Sequence, residues 1–415
     1  MIKASSPIQR RLSLSLSRHA GFHILQAISL GAIFFTYIFI THTLTSNLST
    51  HPLVSNNQTF IVQHVKLTSY SIHKQITQQN VLQDDHNPLP PPINHITKYM
   101  INNSNENLQE FDILKSTTLA RRFKKRAHEF FKHGCKVRFF MTWISPSMRV
   151  FGDREFIALE ALFKSNPNSC LMILSNTMDS DYGFQILKPI TDLGFRVRAI
   201  APDLDFLFKN TPAQSWLDHI KNGKRNPGKI PLAQNLSNLI RLAVLYKYGG
   251  VYIDTDFVIL KDFSGLRNSI GAQSSTRSGN WTRLNNAVLV FDKNHSLLYK
   301  FMEEFASTFN GDKWGYNGPY LVSRVVERET TKAEVNFTVL PPIAFYPVDW
   351  TRVGGFFTTP VNQVHRSWIE AKVDQLNKLS YGVHLWNKQS SRLRIEEGSI
   401  MGRLILDYCV ICNVK

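Results

Sequence analysis

Asp254 and Asp256 stand two residues apart at the end of an apolar run, Val251-Tyr-Ile253, which itself follows two glycines, Gly249 and Gly250. The pattern predicts a buried strand over Val251–Asp254 that ends in two carboxylates. A strand alternates its side chains, so both acids are expected on one side with Thr255 opposed. Two carboxylates at the rim of a core cost free energy unless something positive lies between them. A divalent metal, a hard cation that prefers oxygen ligands and carries substrate phosphates, answers that need. The arrangement suits an enzyme that binds a nucleotide diphosphate sugar. The alternative is a solvated turn with no ligand. Asp179-Ser-Asp181 and Asp203-Leu-Asp205 share the spacing, but neither follows a Gly-Gly turn and an apolar run.

The elements that must position these acids alternate along the chain from Cys135. Strands are expected at Val137–Trp143, Cys170–Ser175 and Arg196–Ile200, with helices at Arg154–Ser165 and Phe184–Leu193. A longer helix is expected over Leu232–Tyr248, with apolar residues Leu236, Leu239, Ile240, Ala243 and Val244 recurring at helical spacing. This order implies an α/β domain with a mixed, mainly parallel sheet. Ligands in such sheets bind beyond the carboxyl ends of the strands, where Asp254 and Asp256 fall.

Residues Gly21 to Ile40 carry no charge and are long enough to cross a bilayer as a helix. Lys3, Arg10, Arg11 and Arg18 precede them without an acid. The expected layout is a cytosolic basic tail (1–20), a transmembrane signal anchor (21–41), a flexible luminal stem (42–134) and a catalytic domain (135–415). A cleaved signal peptide is the competing reading. The stem is rich in Asn, Gln, Thr, Ser and His and includes Asn87-Pro-Leu-Pro-Pro-Pro92. Seven Asn-x-Ser/Thr sequons begin at Asn47, Asn57, Asn102, Asn235, Asn280, Asn294 and Asn336. The four cysteines allow three pairings. A Cys135–Cys170 bridge follows if the strands beside them are neighbours, and Cys409-x-x-Cys412 suits a short disulfide or a redox pair. The net charge of +17 is spread out: 14 Lys/Arg against 6 Asp/Glu up to Gly134 gives +8, leaving +9 for the remainder. A luminal domain is not expected to meet nucleic acid, so the charge points to solubility or to attraction of anionic head groups and nucleotide sugars.

Asn238-Leu-Ile-Arg241 followed by Leu245-Tyr-Lys-Tyr-Gly-Gly-Val-Tyr-Ile-Asp-Thr-Asp256 resembles the sugar-binding region containing the DXD motif of glycosyltransferase family 32. Leu284–Phe291, Trp314–Arg324 and Val383–Lys388 resemble the α-1,4-glycosyltransferase region of the lactosylceramide α-1,4-galactosyltransferases and their plant relatives. The segments run in consistent order from about Cys135 onward. The resemblance implies a GT-A-like (Rossmann-like) fold and a single-pass type II membrane protein of the Golgi with a luminal catalytic domain. It also implies a UDP-sugar donor, Mn²⁺ (or Mg²⁺), a glycan or glycosphingolipid acceptor, and transfer of a hexose, galactose first, with retention. Two positions depart from the family pattern: Asn238 stands where an Asp is usual, and Tyr316 where many relatives carry His.

Roles follow from the chemistry and the resemblance together. A metal held by Asp254 and Asp256 would act as a Lewis acid on the departing diphosphate. Asp256 is the expected direct ligand, and Asp254 contacts the ribose or a metal-bound water. His384 completes the metal shell or touches a phosphate, or else is a packed core histidine. Arg241 holds a phosphate or donor hydroxyl, or forms a helix-surface salt bridge. Tyr248, Gly249 and Gly250 are expected at the donor, the glycines letting the backbone approach the nucleotide, with an ordinary helix C-cap as the alternative. Trp386 stacks on a ring or packs in the core, and Lys388 pairs with the diphosphate or faces water. Asn238 and Asn286 contact the donor, and Asn317 sits in a loop at the reacting centre. Asp292 and Asp349 do not stand out from surface residues. The competing function is a catalytically silent, membrane-anchored sugar-binding or scaffold protein of the same fold. A soluble secreted hydrolase is disfavoured, because no paired acid and nucleophile is evident.

Overall fold

The computed structural model describes residues 111–144, 150–329 and 336–412. The expected tail, the apolar run Gly21–Ile40 and the stem up to residue 110 lie outside the described residues. Among the described residues no helix is long and apolar enough to cross a membrane.

Apolar strands dominate the centre. β1 (Arg138–Thr142), β2 (Cys170–Leu174), β3 (Arg196–Ile200) and β4 (Gly250–Ile253) pair in parallel in the order β3-β2-β1-β4. β5 (Phe257–Ile259) leaves this sheet, and β6 (Ser269–Ser275) and β7 (Trp281–Phe291) return to it as a hairpin. β7 pairs antiparallel with β4, and β8 (Thr338–Leu340) closes the far edge parallel to β6. The result is a seven-stranded, mixed, mainly parallel sheet. β9 (Gly382–His384) pairs antiparallel with β5 in a small second sheet, in a register that sets His384 opposite Phe257.

Both faces of the large sheet are covered, which explains why β2 is apolar at all five positions. Phe140, Met172 and Tyr252 pack on one face against the helices Leu232–Tyr248 and Ser296–Thr308. Phe139, Ile173, Val251 and Ile253 pack on the other against Asp153–Ser165 and Asp181–Asp192. The expected elements lie where their apolar spacing put them, with Arg196–Ile200 and Leu232–Tyr248 unchanged and the other ends moved by at most three residues.

Two differences stand out. Phe123, Ala127 and Phe131, spaced by one helical turn on Phe123–Phe131, are buried in the core. The domain boundary expected at Cys135 therefore falls inside a packed layer, because the basic run Arg121–Arg126 masks this apolar stripe in the sequence. The second difference is at the acids. β4 stops at Ile253, and Asp254-Thr255-Asp256 forms the turn into β5, so strand alternation does not orient them.

Cys135 bonds to Cys170 and Cys409 to Cys412. Asn280, Asn294 and Asn336 are exposed, but Asn235 is buried and its carboxamide oxygen accepts from Asn317, which leaves no room there for a glycan.

Candidate active site

The site begins with the helix Leu232–Tyr248, whose apolar face anchors it to the sheet while Asn235, Asn238 and Arg241 line a cavity of about 690 Å³. Asp254, Asp256, His384, Trp386 and Lys388 line the same cavity, as do Gln273, Arg283, Asn286, Trp314, Tyr320 and Trp350.

The two carboxylates and the imidazole converge by different routes. The main chain ties the Asp-Thr-Asp turn to its neighbours: Asp254 N–H donates to Ala287 at 2.9 Å, and Leu385 N–H donates to Asp256 carbonyl at 2.9 Å. The β5–β9 pairing then delivers His384, 128 positions further along the chain than Asp256, with Nε2 3.4 Å from Asp256 Oδ1 and 4.0 Å from Asp254 Oδ2. One ligand atom from each residue lies within 4.8 Å of the others. Two carboxylate oxygens and one imidazole nitrogen can hold a divalent cation, so these residues fit a metal site of the kind the sequence implies. Trp386 N–H donates to His384 Nδ1 at 3.3 Å, which in the neutral ring assigns the proton to Nε2. A metal held through Nε2 would require that proton on Nδ1, in exchange for this long contact.

Each acid is braced on its far side. Asp256 Oδ2 accepts from the Asn387 N–H at 2.8 Å. That N–H is presented by Trp386, a non-glycine residue held at φ 54°, ψ 57° and tethered by its indole N–H to Val348 carbonyl at 2.9 Å. Strain of this kind, on the order of 1–3 kcal/mol, persists only where surrounding contacts over-determine it. Asp254 Oδ1 accepts from Tyr252 OH at 2.8 Å and pairs with Arg241 Nη1 at 3.1 Å.

These contacts belong to a closed ring. Arg241 Nη2 donates to Ser237 Oγ (3.2 Å), Ser237 lies 2.5 Å from Thr142 Oγ1, and Thr142 lies 2.7 Å from Tyr252 OH. One proton assignment satisfies every member: Arg241 to Ser237 to Thr142 to Tyr252 to Asp254. The Arg241 guanidinium also sits 4.3 Å from the Tyr252 ring centre. Burial pushes the Asp254 carboxyl up; Arg241 opposes this, and Asp256 adds to it. A second negative charge beside Asp254 is thus unfavourable without a positive partner, and Arg241 supplies one on one side of the pair. Thr142, Ser237 and Tyr252 escaped the sequence reading because lone hydroxyls carry no spacing signal. Only their placement on β1, the site helix and β4 joins them.

Several expected site residues have other roles. Arg241 is buried rather than on the helix surface, and its fork is spent on Asp254, Asn286 carbonyl (2.7 Å) and Ser237 instead of a donor phosphate. Asn317 is buried outside the cavity lining. Its amide donates to Asn235 and to Asn310 carbonyl while its oxygen accepts from Asn310 N–H, so it fixes the loop before the helix Pro319–Glu329 and does not face a reacting centre. Tyr248, Gly249 and Gly250 line a separate cavity of about 360 Å³ at the start of β4, with Cys135 and Lys293. The Tyr248 ring packs among Phe123, Phe131 and Phe140. Four strand residues carry the chain roughly 13 Å from these glycines to Asp254.

The remaining expectations meet in the main cavity. Asn286 donates from Nδ2 to Asn238 Oδ1 at 2.9 Å. Lys388 Nζ lies 4.1 Å from the Trp314 ring centre. Asp292 pairs with Arg267, and Asp349 pairs with Arg352; neither acid lines this cavity.

Comparison with known proteins agrees with this geometry. Residues 152–277 match the glycosyltransferase sugar-binding region containing the DXD motif, and residues 290–414 match the alpha 1,4-glycosyltransferase conserved region. Lactosylceramide 4-alpha-galactosyltransferase of Mus musculus is 30% identical over 268 residues, covering 61% of this chain and 68% of that one. The chain belongs to the alpha 1,4-glycosyltransferase family. It is a glycosyltransferase. An uncharacterized protein of Arabidopsis thaliana is 30% identical over 295 residues, and the match covers 43% of its length and 68% of this chain. Alpha-1,4-N-acetylglucosaminyltransferase of Homo sapiens is 28% identical over 205 residues, covering 46% of this chain and 53% of that one. Among solved structures, the PaToxG glycosyltransferase aligns with a TM-score of 0.36 and 18% identity, over 58% of this chain and 82% of that one.

Proposed function

We propose that this domain moves a hexose, galactose first, from a UDP-sugar to a glycan or glycolipid acceptor, forming an α linkage with retention. The observation that carries this reading is the convergence of Asp254, Asp256 and His384 at one end of a cavity large enough for a nucleotide sugar. A Mn²⁺ or Mg²⁺ ion held by these three residues would supply Lewis-acid stabilisation of the diphosphate. Lys388, exposed one residue beyond the Asn387 N–H that braces Asp256, adds a positive charge where the diphosphate would lie. Asn238 and Asn286 present a linked pair of carboxamides to the donor's hydroxyls, with the peptide oxygen of Asn286 held by Arg241. Asn238 keeps the hydrogen bonding of the usual Asp and lacks its charge, so donor choice is the property most open to change. Hydrolysis of the donor competes with transfer, so a productive site must exclude water once both substrates are bound.

The compartment belongs to the same proposal. An uncleaved anchor at 21–41 would hold the domain in the Golgi lumen as a single-pass type II protein. The sequence pattern of the first 41 residues supports this reading.

The test is UDP release by the full-length chain from a panel of UDP-sugars, with and without Mn²⁺. UDP-galactose should give metal-dependent release that rises with acceptor. A chain that binds no UDP and is indifferent to metal would be a silent member of the fold, and the proposal would fail.

A further inference from the structure

We propose that the Trp350 indole is the platform on which the acceptor's terminal sugar ring stacks; this rests on the glycosyl-transfer reading above. Three large aromatic side chains on the cavity wall are strongly exposed: Trp314 (47%), Tyr320 (41%) and Trp350 (48%). Two of them carry a cation on one face. Lys388 Nζ lies over Trp314 at 4.1 Å, and the Arg283 guanidinium lies over Tyr320 at 4.6 Å. The Trp350 ring meets no other ring, cation or hydrogen-bond partner among the described residues, so its face is open at the cavity.

The turn that carries Trp350 is rigid. Asp349 Oδ1 accepts from Thr351 N–H at 2.9 Å, from Arg352 N–H at 3.2 Å and from the Thr351 hydroxyl, while Oδ2 takes the Arg352 guanidinium at 2.6 Å. Val348, two residues before Trp350, receives the Trp386 indole N–H, so the turn is tied to the residue beside the metal-ligating histidine. A large apolar ring fixed on a braced turn and left bare to solvent carries a free-energy cost that a ligand relieves.

The ligand class follows from the surroundings. The diphosphate belongs with Asp254, Asp256, His384 and Lys388, a polar and charged region. Trp350 offers an uncharged, flat surface on the wall of the same cavity that none of these charged groups occupies, which leaves it to the second substrate. Pyranose rings present a patch of C–H bonds on one face, and such a face stacks on indole while the hydroxyls stay wet. A neutral hexoside fits. Lactose is the probe because relatives of this chain are named lactosylceramide 4-alpha-galactosyltransferase.

The test uses the full-length chain in detergent with UDP and Mn²⁺ present, and lactose as probe. Saturation-transfer NMR reads lactose binding, and calorimetry reads UDP affinity, for the wild type, Trp350→Leu and Trp350→Phe. Leucine keeps the apolar bulk without a flat ring, so a loss there is not a hole in the structure. Lactose affinity should fall roughly tenfold in Trp350→Leu and recover to within about threefold in Trp350→Phe, with UDP affinity unchanged in both. Equal lactose binding by the wild type and Trp350→Leu would overturn the proposal. So would a wild type that does not bind lactose, or a loss of UDP affinity in parallel, which would move Trp350 to the donor side. If lactose binds through Trp350 but no sugar is transferred from UDP-galactose, the proposed function fails and this subsite stands.

Discussion

The two ends of β4 look alike in the sequence and differ in kind in the structure. At its start, Gly249 and Gly250 adopt φ values of 65° and 125°, and a Cβ on Gly250 would lie 2.4 Å from the Arg138 carbonyl oxygen. Backbone packing alone requires glycine there. At its other end, Asp254 and Asp256 meet His384 from a distant strand and Arg241 from the preceding helix. The first end is a local solution to a chain-reversal problem and holds no metal-ligand cluster. The second is a non-local gathering of charge whose balance calls for a cation. Gly-Gly and Asp-Thr-Asp share one short motif, yet only the acids line the main cavity.

That contrast can be broken by substitution at either end. Asp256→Asn keeps the shape and the Asn387 contact but removes a charged ligand. Metal-dependent UDP release should fall at least about a thousandfold, the equivalent of roughly 4 kcal/mol, with the melting temperature little changed. Steady-state UDP release at saturating donor measures it. Arg241→Ala comes next, because it leaves Asp254 buried without its partner. Loss of a buried pair costs about 3 kcal/mol or more, so urea denaturation should show the largest stability drop of the series, together with weakened metal binding. Gly250→Ala sits at the other end and should do the reverse. Strain at φ 125° should cost about 1–3 kcal/mol of stability, while UDP affinity per folded molecule stays within error of the wild type. If Gly250→Ala lost UDP affinity without losing stability, the division between the two ends would be wrong.

The division also marks what was legible before any coordinates. Apolar periodicity placed the helix Leu232–Tyr248 and strands β1 to β4, because burial on both faces leaves continuous apolar runs. The acid pair was legible because carboxylates beside an apolar run are costly without a partner. His384 was legible only through its segment's resemblance to a known family, since Val383-His-Leu-Trp reads equally as core. Burial explains the misreadings. Arg241 and Asn317 are polar types expected to reach a ligand, but both are buried and spent on main-chain and side-chain partners. Phe123–Phe131 was hidden because its apolar stripe alternates with Lys124 and Lys125, which are exposed, and Arg126, which pairs with Asp179. The open face of Trp350 depends on a turn whose bracing cannot be inferred from its four residues.

The account rests on a cation held between Asp254, Asp256 and His384. Electron paramagnetic resonance of free Mn²⁺, titrated into the full-length chain with UDP present, measures it directly. One tightly bound Mn²⁺ per chain is expected in the wild type, weakened by at least about tenfold in His384→Ala and lost in Asp256→Asn. A wild type that leaves all the Mn²⁺ free, or variants that bind it as tightly as the wild type, would contradict the account.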